Sequence, residues 1–260
     1  MQEAQAHSVK LAWHDVGAGN PPVLAVPQWF LSSRSLGISP LIQKLSERHR
    51  VILYDRRGTG ASEKPGPPYT TARDARDLAG LVEATSLDGF VLLGLGVRGS
   101  QVALNYAGHF PQRVRALITI GGTPKWSASA EWPYGIAAGT YHKAFASVLA
   151  DASEAPALPD DPALADAMRA DWSDAGPDAA TDILAHTLDE DLRPFLRKVV
   201  SPALVVHLRD DPLVSFEAAR WLAESLANGQ LEVFDASRNV PLQSPGELAA
   251  HIEEFLATAL

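Results

Sequence analysis

FVLLGLGVRGSQVALNYA, residues 90–107, decides the fold. A short apolar run from Phe90 to Leu93 enters a turn dense in glycine at Gly94, Gly96 and Gly99, and helical spacing begins at about Ser100. A strand, a tight turn and a helix in that order form the build that holds a Ser, Asp or Cys nucleophile at an exposed tip in many enzymes. Counted from the strand the tip is Gly96; counted from the helix it is Val97. Neither side chain can attack a carbonyl, so the stretch predicts an architecture while removing the usual chemistry from it.

Outward from this unit the pattern repeats. PPVLAVP at 21–27 and RVILYD at 50–55 are continuous apolar runs, the mark of strands buried on both faces. Val9 to His14 suits an early edge strand closing on the turn at Gly17 to Asn20. Helical spacing covers Pro40 to His49 and Thr71 to Thr85, the latter with Leu78, Leu81 and Val82 as its apolar stripe. Further strands fall at 114–122, within 202–214 and at 230–236, followed by helices at Phe216 to Leu226 and Pro245 to Ala259. Buried strands alternating with helices predict an α/β fold, a doubly wound and mostly parallel sheet. Ligands of such sheets sit at the carboxyl ends of the strands.

Residues 125–192 differ in composition, with Trp126, Trp132, Tyr134, Tyr141 and Trp172 set among alanine-rich and aspartate-rich polar segments. They read as a helical cap inserted into a core made of residues 1–124 and 193–260.

The chain has 260 residues, 46% of them hydrophobic and 20% charged, enough for one large core. Its net charge of −9 argues against nucleic-acid and anionic-membrane partners, since phosphate binding needs a clustered positive field. There is no cysteine, which excludes disulfides, thiolate nucleophiles and cysteine-ligated metals. The opening MQEAQAHSVKLAW shows no basic stretch leading into an apolar one, and a cytoplasmic location is expected. No ligand spacing such as H-x-x-x-H appears, so no metal site is expected. The glycines at 94, 96 and 99 have G-x-G-x-x-G spacing, but no acidic residue follows at the distance a ribose requires, and no cofactor is expected. The partner expected is a small-molecule substrate; oligomeric state is not legible.

Taken together, DRRGTGAS at 55–62, the glycine turn, HFPQRVRAL at 109–117 and LVVHLRDDPLVSFEAARWLAESL at 204–226 resemble the α/β-hydrolase superfamily. That resemblance implies a Ser, an acid and a His in chain order, with an oxyanion hole shared between the loop after the first buried strand and the residue following the nucleophile. The acid position falls on Asp211, with Asp210 adjacent. The histidine position falls on Asn239, whose amide cannot take a proton near neutral pH. The His-Gly of the first loop becomes Pro27-Gln28, which puts a polar side chain at the oxyanion site.

With nucleophile and base both replaced, the triad is degenerate. The expectation is a non-hydrolytic enzyme acting without a cofactor on an aromatic or polycyclic molecule, such as an oxygenase, lyase, isomerase or ring-forming enzyme of secondary metabolism. An inert ligand-binding pseudo-hydrolase and a hydrolase with a relocated nucleophile are the alternatives. Asp211 and His142 are the catalytic candidates. The pocket is assigned to Gln28, Trp29, Gly96, Val97, Arg98 and Asn239 below, with Trp126, Trp132, Tyr134 and Tyr141 above. Arg98 is expected to meet a phenolate or carboxylate. Ser100, one helical turn past the tip, is expected to bond backbone, and His207 to pack.

Overall fold

The computed structural model describes residues 1–137, 139, 158–234 and 245–260. Eight strands form one sheet: β1 (Gln2–Ala6), β2 (Val9–Val16), β3 (Val23–Val26), β4 (Val51–Tyr54), β5 (Phe90–Leu95), β6 (Val114–Ile120), β7 (Ala203–Leu208) and β8 (Gly229–Phe234). Their order is β1-β2-β4-β3-β5-β6-β7-β8. β1 and β2 pair antiparallel, as do β2 and β4, and every later pairing is parallel. Val9 to His14 is therefore not the edge: β1 lies outside it, reached through a two-residue turn at His7 and Ser8. β1 leaves little trace in the sequence, because QEAQA exposes three of its five residues and carries no strong β-former.

The parallel strands are apolar throughout because both faces are covered. Leu24, Leu92, Leu117 and Val205 face one core, against α3 (Thr71–Ala84), α4 (Gly96–His109) and α7 (Phe216–Ser225). Val23, Val91, Ile118 and Leu204 face the other, against α1 (Ser33–Gly37), α2 (Pro40–Ser46) and α8 (Pro245–Ala259). Between β6 and β7 the described elements are α5 (Pro162–Ala175), α6 (Pro177–Asp189) and a 3₁₀ turn, Arg193–Lys198.

Each helix starts where a side chain or a proline allows it. The Thr70 hydroxyl accepts from Arg73 N to cap α3, and Ser215 caps α7 through Ala218 N. Pro162 and Pro177 open α5 and α6, where their missing N–H is no loss. α4 is the exception, starting directly from β5 with no side-chain cap. It also begins four residues earlier than its apolar spacing shows, at Gly96. The close approach of this helix to the sheet depends on Gly99, where a Cβ would stand 2.5 Å from the Val26 carbonyl oxygen.

The segment between β6 and β7 is bound to the core by specific bonds. Gln101 Nε2 donates to the Thr187 carbonyl at 3.1 Å, and Trp126 Nε1 to the Leu213 carbonyl at 2.9 Å. The carboxylate of Asp171 on α5 is fully buried and accepts from Ser32 N, Ser32 Oγ and Ser35 Oγ at 2.9, 2.6 and 2.6 Å. This holds α5 against the N-terminus of α1.

Candidate functional site

The tip of the turn is Gly96, not Val97. Its φ of +61° is a left-handed backbone that an L side chain adopts only under strain, and Val97 already lies inside α4, fully buried. A Cβ built on Gly96 would fall 1.6 Å from Gln28 Oε1 and 2.2 Å from Gln28 Cδ. The Gln28 carboxamide thus fills the space that a nucleophilic side chain would take.

Strand register places the rest of the floor. Val26 pairs with Gly94, so Pro27 and Gln28 emerge beside the β5 turn. Leu95 pairs with Ile120, so Gly96 and Gly121 follow side by side, about one strand spacing of ~5 Å apart. Asp211 comes in from the next strand over: its Oδ2 lies 3.0 Å from the Cβ position of Gly121. Its other oxygen, Oδ1, accepts from Leu213 N at 2.8 Å, which fixes the carboxylate's direction. Gln28, Gly96, Gly121 and Asp211 therefore form a row across the carboxyl ends of β3, β5, β6 and β7. Above α4, the backbone N–H groups of the first turn have no side-chain cap to satisfy them, and that turn carries the positive end of the helix dipole.

Two buried indoles join the loops that carry Gln28 and Asp211. Trp29 has φ +30°, a strained backbone for a bulky residue, and its ring lies 5.4 Å from that of Trp126 at an interplanar angle of 45°. Trp126 Nε1 donates to the Leu213 carbonyl at 2.9 Å, tying the aromatic pair to the Asp211 loop. Trp132 lies in the same hydrophobic core and meets other rings. It is 1% exposed, meets Tyr134 and Trp221 edge-on at 5.1 and 5.0 Å, and has the Arg193 guanidinium 5.3 Å over its ring. Its Nε1 donates to the Lys125 carbonyl, so the side chain is committed to packing.

Arg98 is not in the pocket. It is fully buried, donating to the Tyr69 carbonyl at 2.6 Å and to Asp74 Oδ2 at 2.9 Å. Its position in the first helical turn was legible, but the buried Asp74 on α3 that draws it inward was not. Ser100 Oγ is buried and donates to the Gly94 carbonyl at 3.2 Å, so it offers no relocated nucleophile. His207 is 1% exposed against Phe216, and burial holds its imidazole below the usual histidine value, opposed by Asp211. His142, Tyr141 and Asn239 lie outside the described residues. No cluster of three or more metal-ligating side chains occurs among the described residues, and no helix there is long and apolar enough to cross a membrane.

Comparison with known proteins places this geometry. The family described as alpha/beta hydrolase fold matches residues 21–242. The chain is 32% identical over 200 residues to 2-(acetamidomethylene)succinate hydrolase of Mesorhizobium japonicum, covering 72% of this chain and 71% of that protein. It is 24% identical to 3-oxoadipate enol-lactonase 2 of Acinetobacter baylyi, over 92% of this chain and 90% of that one. In fold it is similar to an esterase from Exiguobacterium antarcticum, with a TM-score of 0.85, 24% identity and 98% coverage of each chain.

The named relatives catalyse hydrolyses, which overturns the non-hydrolytic reading. That reading took the replacement of nucleophile and base to mean the loss of the reaction class, whereas proteins similar to this chain over most of its length are named as hydrolases. By its matched length and its architecture, this chain belongs to the α/β-hydrolase family.

Proposed function

We infer that the chain is a hydrolase of a small carbonyl compound, an ester or lactone, in which water itself attacks. The observation that carries this is the row Gln28, Gly96, Gly121, Asp211 under an uncapped helix N-terminus. The Gln28 amide in the nucleophile's space has the donor and acceptor needed to orient a water molecule there. Asp211 takes a proton from that water as its oxygen bonds to the carbonyl carbon. The oxyanion that forms is met by the backbone N–H of Val97 at the positive end of α4. When the bond to the leaving oxygen breaks, the proton passes from Asp211 to it, and an acid and an alcohol or enol result. Nothing but water is consumed, so no cofactor is called for.

Residues 125–192 serve in this reading as the cap over the strand ends. A site without a covalent nucleophile is slow: serine enzymes stripped of a triad member keep about 10³–10⁴-fold acceleration over water, and that is the scale expected here.

The test is hydrolysis of aryl esters and enol lactones followed under single-turnover conditions. The expected result is linear product formation with no burst, no acyl adduct in the intact mass, and no labelling by a fluorophosphonate. A trapped acyl-enzyme or a labelled serine would overturn water as the nucleophile. Absence of turnover across both substrate classes would overturn the hydrolase reading itself.

A further inference from the structure

Arg98 leads to a second site, independent of the first. Arg56, directly after β4, and Arg98 in the first turn of α4 are 1% and 0% exposed. Both bring one guanidinium nitrogen to the same oxygen, Asp74 Oδ2, at 2.9 Å. Arg98 also donates to the Tyr69 carbonyl. Beyond these bonds, Arg56 Nε and Nη2 and Arg98 Nε and Nη1 are buried and meet no acceptor among the described residues. The unmet groups beside them are Asp74 Oδ1 and the Tyr54 hydroxyl, which lies in the field of the same charges.

Four donor nitrogens against one carboxylate oxygen and one hydroxyl, which needs an acceptor of its own as well as offering one, is a lopsided remainder. Water both donates and accepts, so filling the space with water alone leaves donors in excess; an anion only accepts. The charges lean the same way. Two guanidiniums share Asp74, while the neighbouring Arg57 is fully matched by Asp77 through two hydrogen bonds. Glu190 is the next carboxylate to act on Arg98, but it is partly exposed and accepts the Thr71 hydroxyl. Burial, with Arg56 adding to it and Asp74 opposing, lowers the Arg98 pKa, as an under-compensated buried cation requires.

We propose that the Arg56 and Arg98 guanidiniums bind a buried halide ion between them. A single-atom anion satisfies donors from both sides in a small space. Full burial rules out a ligand with a solvent-facing part, such as the carboxylate of a substrate. The ion would tie α3 and the β4 loop to the helix that begins at Gly96.

The test uses the whole protein in two ways. Crystals grown with bromide in place of chloride should show an anomalous peak at the bromine edge, in contact with both guanidiniums. Thermal unfolding at constant ionic strength should shift upward by about 2–4 °C in sodium bromide or chloride relative to sodium gluconate, and the shift should saturate. Arg98→Met removes one guanidinium and leaves Arg56 balanced by Asp74, so it should lose both the peak and the shift. Ordered density without a bromide peak, or equal midpoints in halide and gluconate, would overturn the proposal in favour of water. A halide shift that Arg98→Met retains would overturn it too, because the ion would then be bound elsewhere.

Discussion

At Gly96 two substitutions have to be considered together. A serine there would place its Cβ 1.6 Å from Gln28 Oε1, so Gly96→Ser alone displaces the carboxamide and gains no base. Intact-mass analysis after fluorophosphonate treatment should find no label on it. Gly96→Ser with Gln28→Gly relieves the overlap, yet without a histidine to take its proton the hydroxyl stays a poor nucleophile and labelling should remain slow. Asp211→Asn keeps the size and the bond from Leu213 N but cannot accept the water's proton. It should lower kcat about 10²–10⁴-fold with little change in KM or in unfolding midpoint. His207 gives a pH prediction. Its folded value is depressed by burial, so below the ordinary value of about 6.5 the unfolded chain binds a proton that the folded one does not. Its stability is complete above that pH and is lost as pH falls toward the folded value. His207→Leu should flatten this limb in urea titrations at pH 5 to 7. The sequence revealed that a glycine stands at the turn and a glutamine after Pro27, since both are matters of residue type at a motif position. It could not reveal what Arg98 faces, because Asp74 is 24 residues away and only the packing of α3 on α4 brings them together.

The elements divide along the same line. Helices with a clear apolar stripe and a capping residue were legible almost to the residue: α8 runs Pro245–Ala259 as its spacing predicts, and α3 stops one residue short of it. α1 was not legible. Its five residues, SRSLG, contain one large apolar side chain and have no period to detect. It exists because Asp55 and Asp171 hold its first turn, through Ser33 N at 2.6 Å and through Ser32 and Ser35. Asp171→Ala strands three buried donors and should cost about 3 kcal/mol, read as a lower urea midpoint with an unchanged m-value. Asp171→Asn keeps an acceptor and should recover part of that loss. If the two variants are equally unstable, the hydrogen bonds are not what hold α5 to α1.

For the whole molecule, the alternation of buried strands and helices specified the doubly wound sheet, since parallel strands must be covered on both sides and little else satisfies that pattern. Unfolding should also be one event. The segment between β6 and β7 is joined to the core through Gln101, Trp126 and Asp171, so far-UV circular dichroism and tryptophan fluorescence should give coincident urea transitions. Separate midpoints would mean that the insertion folds as an independent unit. The reaction class was misjudged at this scale. Residue types at three motif positions were read as deciding the reaction, whereas relatives matched over most of the chain are named as hydrolases.

The contact between Trp29 and Trp126 has a practical consequence as well. Two buried indoles 5.4 Å apart, one on the loop after β3 and the other bonded to the loop carrying Asp211, make an intrinsic optical reporter on how those two loops pack. A compound that shifts either loop on binding changes the environment of both chromophores at once, whether or not it is cleaved. Compound libraries can therefore be followed by the emission of this pair before any product has been identified.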